Sequence, residues 1–223
     1  MDIFLQQLIN GLVLGSVYAL VALGYTMVYG ILELINFAHG EITMMGAMVA
    51  LAVIGALALA APGLPGVLVL GAGLVVAIPV CMALGLLIER VAYRPLRHAP
   101  RLAPLITAIG VSIILQNIAM LIWGKQYIPF PAILPQGRHE ILGATISDTQ
   151  IAILILAVLI MAALILVVQK TRLGRAMRAT AQSRQVASLM GVDVNRVIAS
   201  TFVIGSALAA IAGVMVSAYY GLA

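Results

Sequence analysis

Apolar and polar positions alternate along this chain in long blocks. Six apolar stretches, at about 3–32, 42–61, 66–88, 103–123, 151–168 and 197–220, are separated by polar passages. At 1.5 Å of rise per residue, about 20 apolar residues cross a hydrocarbon core of about 30 Å. The blocks therefore predict an all-α, polytopic transmembrane helical bundle of six spans within a single domain, 1–223. The first block carries no charge from Ile3 to Leu32 and is longer than a crossing needs, which predicts tilt or extension into the interface. The turn at Pro62, Gly63 and Pro65 is short enough to make the second and third spans neighbours, and Pro79 predicts a kink in the third. Gly11, Gly15 and Gly24, and again Gly205, Ala209 and Gly213, have the small-residue spacing that lets helix backbones approach closely in lipid. Packing within the chain is the expected use of these surfaces, with a dimer motif as the sharper alternative.

The polar passages differ in sign. Residues 89–101 hold Arg90, Arg94, Arg97 and Arg101 against Glu89. Residues 170–196 hold Lys170, Arg172, Arg175, Arg178, Arg184 and Arg196, six of the twelve basic residues, against Asp193. Both passages are placed in the cytoplasm by the positive-inside rule, which puts the amino terminus outside. Residues 124–150 are balanced in charge and suit the outer side, and Leu142-Gly143 predicts a small hairpin there. Inside the second basic passage, 183–192 has the composition of a short helix. Val186, Leu189 and Met190 are spaced to share a face, and Gly191 is placed as a stop. A short helix held between two spans suits docking.

Composition excludes a water-soluble domain, because 64% hydrophobic and 9% charged residues leave too little polar surface to cover the apolar mass. The mean hydropathy is +1.18. A pI near 9.7 does not point to nucleic acid, since the basic residues fall in two loops where orientation explains them. Cys81, the single cysteine, allows no disulfide framework and no cysteine-based metal site. Met1 and Asp2 provide no basic region for a secretory signal.

The candidate chemistry lies in 33–41. Asn36, His39, Gly40 and Glu41 sit in an otherwise apolar context. Irregular backbone with ionisable groups at membrane depth is tolerated only where it is buried in protein or lines a wet cavity, which would make this a transport-path element. The alternative is a cytoplasmic turn with Asn36 as N-cap and Glu41 near a positive helix end. His39 and Glu41 lack the spacing of HExxH, and no second ligand cluster accompanies them. On the fourth span, Ser112 and Gln116 lie one turn apart. They are placed to line a path or, more commonly for such residues, to hydrogen-bond between helices. No GxxxxGK[ST] loop and no nucleophile–base constellation occurs, so the chain is not expected to be an enzyme.

NFAHGEITMMGA (36–47), RLGRAMRATAQSRQVASLMGVDVNRV (172–197) and FVIGSALAAIAGV (202–214) together closely resemble the permease of high-affinity branched-chain amino-acid ABC importers. The resemblance implies a prokaryotic inner-membrane protein working with a second permease subunit, two ATP-binding subunits and an extracytoplasmic amino-acid-binding protein. ATP would be hydrolysed by the partners, with no cofactor bound by this chain. It also implies an ATPase-coupling segment of Val186, Ala187, Ser188, Leu189, Met190 and Gly191 with Arg178 nearby, Ala187 and Gly191 being its close-packing positions. Residues 36–41 would lie near the translocation path. Such permeases usually carry further spans with a Gly-rich GGxGS-like segment, which does not occur before Ala223, so a shortened chain is expected. An ion-coupled secondary transporter or channel subunit is the alternative, with Glu33 and Glu41 as coupling acids. A scaffold whose basic loop binds the anionic bilayer surface would not need the helix-like VASLMG.

Overall fold

In the computed structural model, residues 2–97, 99–100, 102–131, 137–141 and 143–222 are described. Met1, Arg101 and Leu142, named above, lie outside them. The element order is α1 (Asp2–Leu32), α2 (His39–Ala60), α3 (Gly66–Ile88), α4 (Leu102–Trp123), β1 (Arg138–Ile141), β2 (Ala144–Ser147), α5 (Asp148–Lys170), α6 (Arg172–Gln182), α7 (Arg184–Leu189) and α8 (Val194–Tyr220). Among the described residues, α1 to α5 and α8 make six helices long and apolar enough to cross a membrane.

The sixth of these, α8, is the central post. In its most apolar window 67% of residues are buried, against 17% in α4 and in α5, so α8 is surrounded while α4 and α5 stand at the periphery. Lipid is as apolar as a leucine side chain, so association inside it depends on close packing rather than on expulsion from water. Small residues provide that packing. A methyl group at Gly213 would collide with the Thr43 carbonyl of α2, and one at Gly46 with the Ala210 backbone. Gly205 faces the Gly24 carbonyl of α1 at ordinary contact distance. Phe202 and Ala209 are buried with Val28, Ile42 and Cys81 in the main core cluster.

Gly11 and Gly15 behave otherwise. Nothing lies within 4 Å of a Cβ built at either, so packing within the chain does not use them. The reason is the rotation of α1, which turns Val13, Val17 and Leu20 onto Ile153 and Ala157 of α5 and Met215 of α8, leaving the two glycines outward.

The starts of α5, α6, α7 and α8 are set by side-chain caps rather than by the edge of the apolar run. Ser147 accepts from the Gln150 amide at 3.2 Å while the Gln150 side chain accepts from the Ser147 amide at 3.0 Å, a capping box that starts α5 three residues before Ile151. Thr171 caps α6 through the Gly174 amide at 3.0 Å, and Ser183 caps α7 through Val186 at 3.3 Å. The polar passage 170–196 thus contains α6 as well as the expected short helix. Gly174, Met177 and Thr180 share its buried face. At the opposite end, β1 and β2 pair antiparallel from Arg138↔Ser147 to Ile141↔Ala144. Gln6 of α1 clamps this hairpin, donating to the Thr145 carbonyl at 2.9 Å and accepting from its amide at 2.7 Å.

The link between α1 and α2 decides where the candidate residues lie. After Leu32 the chain turns at Glu33, whose φ of 56° lies in the left-handed region that residues other than glycine rarely adopt. It then climbs back along the bundle, and α2 begins with His39 seated in the gap left by Gly24. Gly24 lies seven residues above Ile31 on α1, so the return is about 10 Å. Residues 33–38 are therefore re-entrant and not a turn lying outside the bundle. Asn36 is not the N-cap: Ala38 occupies that place without a side-chain cap.

The two glycine environments predict opposite signs for one substitution. Gly213→Ala should destabilise the purified chain by about 1–3 kcal/mol through overpacking. Gly15→Ala should be neutral or stabilising by up to about 1 kcal/mol through helix propensity. Denaturant titration in detergent micelles, followed by circular dichroism, measures both.

Candidate functional site

Glu41 lies in the first turn of α2 and reaches α4, where its Oε1 accepts from Ser112 Oγ at 2.9 Å and from Gln116 Nε2 at 2.7 Å. Ser112 and Gln116 meet one acceptor because positions four apart share a helix face. Ser112 is the eleventh of the 22 residues of α4, which places the Glu41 carboxylate near mid-height, about 15 Å from either end. Glu41 and Ser112 are half-buried and Gln116 is exposed, so the cluster opens on the flank of the bundle between α2 and α4. A carboxylate at this depth cannot face hydrocarbon without a cost of several kcal/mol, so water or another protein surface must cover the flank.

The other candidates of 36–41 face inward. Asn36 is 1% exposed, and its Oδ1 accepts from the Tyr93 hydroxyl at 2.8 Å and the Ala38 amide at 3.2 Å. His39, also 1% exposed, lies 4.5 Å from the Tyr25 ring by centroids, and its Nε2 is buried without a hydrogen-bond partner. Gly40 lies against the Tyr25 hydroxyl. Asn36 and His39 therefore anchor the re-entrant segment, while Glu41, Ser112 and Gln116 present polar groups outward. Among the described residues no group of three or more histidine, cysteine or acidic side chains is placed to hold a metal.

The coupling candidates lie at the end of the bundle that carries both basic passages. On α7 and its C-cap residue, Val186, Leu189 and Met190 are 57%, 86% and 80% exposed, whereas Ala187 is buried against the chain itself. Ser188 and Gly191 are exposed. Gly191 has φ of +80°, and the Val192 amide returns to the Ala187 carbonyl at 3.0 Å, closing the helix in the manner of a glycine C-cap. The result is a short helix fixed at both ends with three large apolar side chains in solvent. Arg178 is not on that face. It lies on α6 and donates to the Val168 carbonyl, stapling the α5–α6 elbow.

Three features of this end were not anticipated from sequence. Arg97 is paired with Glu89, which is 1% exposed, and it also donates to Asn195 at the start of α8. Burial pushes the Arg97 guanidinium below its ordinary range and Glu89 opposes that shift. Tyr93, the Asn36 donor, belongs to a single π-helical turn, Glu89–Tyr93, that continues α3. Arg184, the first residue of α7, donates from Nε to the Ile31 carbonyl in the last turn of α1 at 3.1 Å. The one available signal was the lone acid Glu89 among four arginines.

Residues 7–223 match the family model described as branched-chain amino acid transport system / permease component. The chain is similar to the high-affinity branched-chain amino acid transport system permease protein LivH of Escherichia coli (strain K12), at 48% identity over 98% of this chain and 72% of that protein. Similarity to the permease protein BraD of Pseudomonas aeruginosa is also 48% identity, with the same coverage. A probable branched-chain amino acid transport permease of Methanocaldococcus jannaschii is 29% identical over 95% of this chain and 66% of its own length. No solved structure matches.

The Asn36–Tyr93 bond gives a check on the re-entrant segment. Tyr93→Phe leaves one acceptor site of a fully buried amide short of its donor and should cost about 1–3 kcal/mol. The same denaturant titration measures it, and a loss under 0.5 kcal/mol, well below about 1 kcal/mol, would mean that the hydroxyl does not hold the segment.

Proposed function

This chain belongs to the family of permease components of branched-chain amino-acid transport systems, and from that premise we propose that it is the membrane-embedded permease subunit of an ATP-driven importer of branched-chain amino acids. The observation that carries the reading is α7, a capped helix with Val186, Leu189 and Met190 in solvent at the basic end. An apolar helix face of this kind is suited to a groove on a partner protein. A binding surface for anionic lipid would need the arginines alone.

In this proposal the basic end faces the cytoplasm of a prokaryote, the amino terminus lies outside, and two ATP-binding subunits serve the complex. One of them receives α7. ATP is bound and hydrolysed by those partners, and this chain binds no cofactor. A second permease subunit covers the α2–α4 flank, so that Glu41, Ser112 and Gln116 line a path between the two chains. An extracytoplasmic amino-acid-binding protein delivers the substrate. Coupling requires that the ATP-binding subunits hold α7 differently in two states, since equal contact in both would shift nothing. Arg184 carries that difference to the last turn of α1, from which the re-entrant segment leads to Glu41.

One observation favours an ion-coupled transporter, namely a carboxylate at mid-height. Its partners are neutral donors, and Glu33 lies at the basic end, so only one acid is positioned for coupling.

Co-purification from native membranes tests the proposal. ATP-binding subunits should accompany the wild-type chain and fall by about tenfold or more with Leu189→Arg, since a buried apolar anchor contributes about 1.5–3 kcal/mol. Leu189 is 86% exposed in the chain alone, so the substitution leaves the fold intact. Glu41→Gln should keep the ATP-binding subunits while lowering leucine uptake in proteoliposomes. Uptake that follows a proton gradient and ignores ATP would sink the importer reading.

A further inference from the structure

The basic end contains a cavity that the coupling scheme does not use. It has a volume of about 270 Å³ and is lined by Leu32, Leu34 and Leu96 together with Glu33, Arg97 and Arg184. This is just under the roughly 300 Å³ at which drug-sized sites begin, so the space suits a smaller guest. Its walls come from four separate places: the end of α1 with the start of the re-entrant segment, the passage after α3, Pro104 in the first turn of α4 and the first residue of α7.

The charges in the walls are not equivalent. Arg97 is committed to Glu89 and Asn195, so its charge is largely balanced by a buried acid. Arg184 uses Nε on the Ile31 carbonyl, which orients the guanidinium, and its two terminal nitrogens carry further N–H donors. Glu33 already holds an interaction of its own. A carboxylate offers about four lone-pair sites, which is capacity for more than one donor. The cavity thus offers a planar cationic fork suited to a carboxylate, an acid suited to an ammonium group and leucine side chains for an apolar remainder.

We propose that this cavity is a binding site for a free α-amino acid zwitterion with a branched apolar side chain. Its carboxylate is held by Arg184, its ammonium group by Glu33, and its side chain lies against Leu32, Leu34 and Leu96. The choice of side-chain class rests on the importer reading, in which this is the end where the product is released. The site is distinct from the Glu41 flank. A guest bridging Glu33 and Arg184 also ties α7 to the segment that leads to His39, so occupancy and the position of the docking helix are linked.

The test uses the full chain, purified with the subunits that accompany it, in lipid nanodiscs without external binding protein, and radiolabelled leucine as the probe. Saturable binding is expected. Leucinamide, which lacks the carboxylate, and 4-methylpentanoate, which lacks the ammonium group, should each compete about tenfold less well or worse, the scale of one charge-assisted hydrogen bond. Glu33→Gln and Arg184→Gln should each weaken leucine binding by a similar factor, and Arg184→Lys should restore part of it. Absence of saturable binding overturns the proposal, as does equal competition by 4-methylpentanoate, which would mark a plain carboxylate site. Binding lost in Glu41→Gln and kept in the other two variants also overturns it, placing the guest on the flank. These outcomes do not depend on whether ATP-binding subunits co-purify, so failure of the importer reading is read separately.

Discussion

Backbone contact around α8 is the condition on which the rest of the bundle depends. No water is expelled when two helices meet in lipid, so the contact energy is dispersion between surfaces that fit, and it falls steeply with any gap. Gly46 and Gly213 bring α2 against α8 until backbone atoms touch. Gly24 and Gly205 do the same for α1. Once α1 and α2 are both held against α8, the chain joining them has nowhere to run except back up the bundle. The re-entrant segment is a result of that packing, and Glu41 reaches α4 because α2 starts deep.

Burial of polar groups follows a division of labour. Asn36 and His39 are enclosed and fix the segment in place, the former by two hydrogen bonds and the latter by filling a glycine gap against Tyr25. Glu41 is left half-covered, with neutral donors on one oxygen. An enclosed carboxylate would have to be neutralised or paired, whereas one shared with Ser112 and Gln116 at the edge of the bundle keeps capacity for water or a neighbouring chain. The same contrast recurs at the basic end, where Glu89 and Arg97 neutralise each other inside while Val186, Leu189 and Met190 are left in solvent.

Hydropathy made the six crossings and the polytopic helical class legible, because a crossing needs only length and apolarity. Residues 36–47, 172–197 and 202–214 made the family legible. The helix starting at His39 rather than Ile42 was not, since its start depends on a gap at Gly24 that no local pattern encodes. Gly11 and Gly15 have the same spacing as working glycines and differ only in the rotation of α1, which is a tertiary property. Amphipathic α6 was readable in principle: Leu173, Ala176, Met177 and Thr180 recur at helical spacing, but arginines on the other face drew the reading toward a loop. Ser112 and Gln116 suggested both a path lining and an interhelical bond, and the structure makes the bond to the very acid that had been singled out beside them.

The Gln6 clamp on the β1–β2 hairpin acquires a meaning when set beside Arg184. Gln6 ties α1 to the hairpin near the first turn of that helix and Arg184 holds its last turn, and the 25 residue steps from Gln6 to Ile31 span about 38 Å with no proline to soften them. Between the two holds the same helix rests on His39 and Gly205 through Gly24. The hairpin and α7 lie at opposite ends of the bundle and still share one unbroken helix, so a change in either hold bears on the part that the other grips.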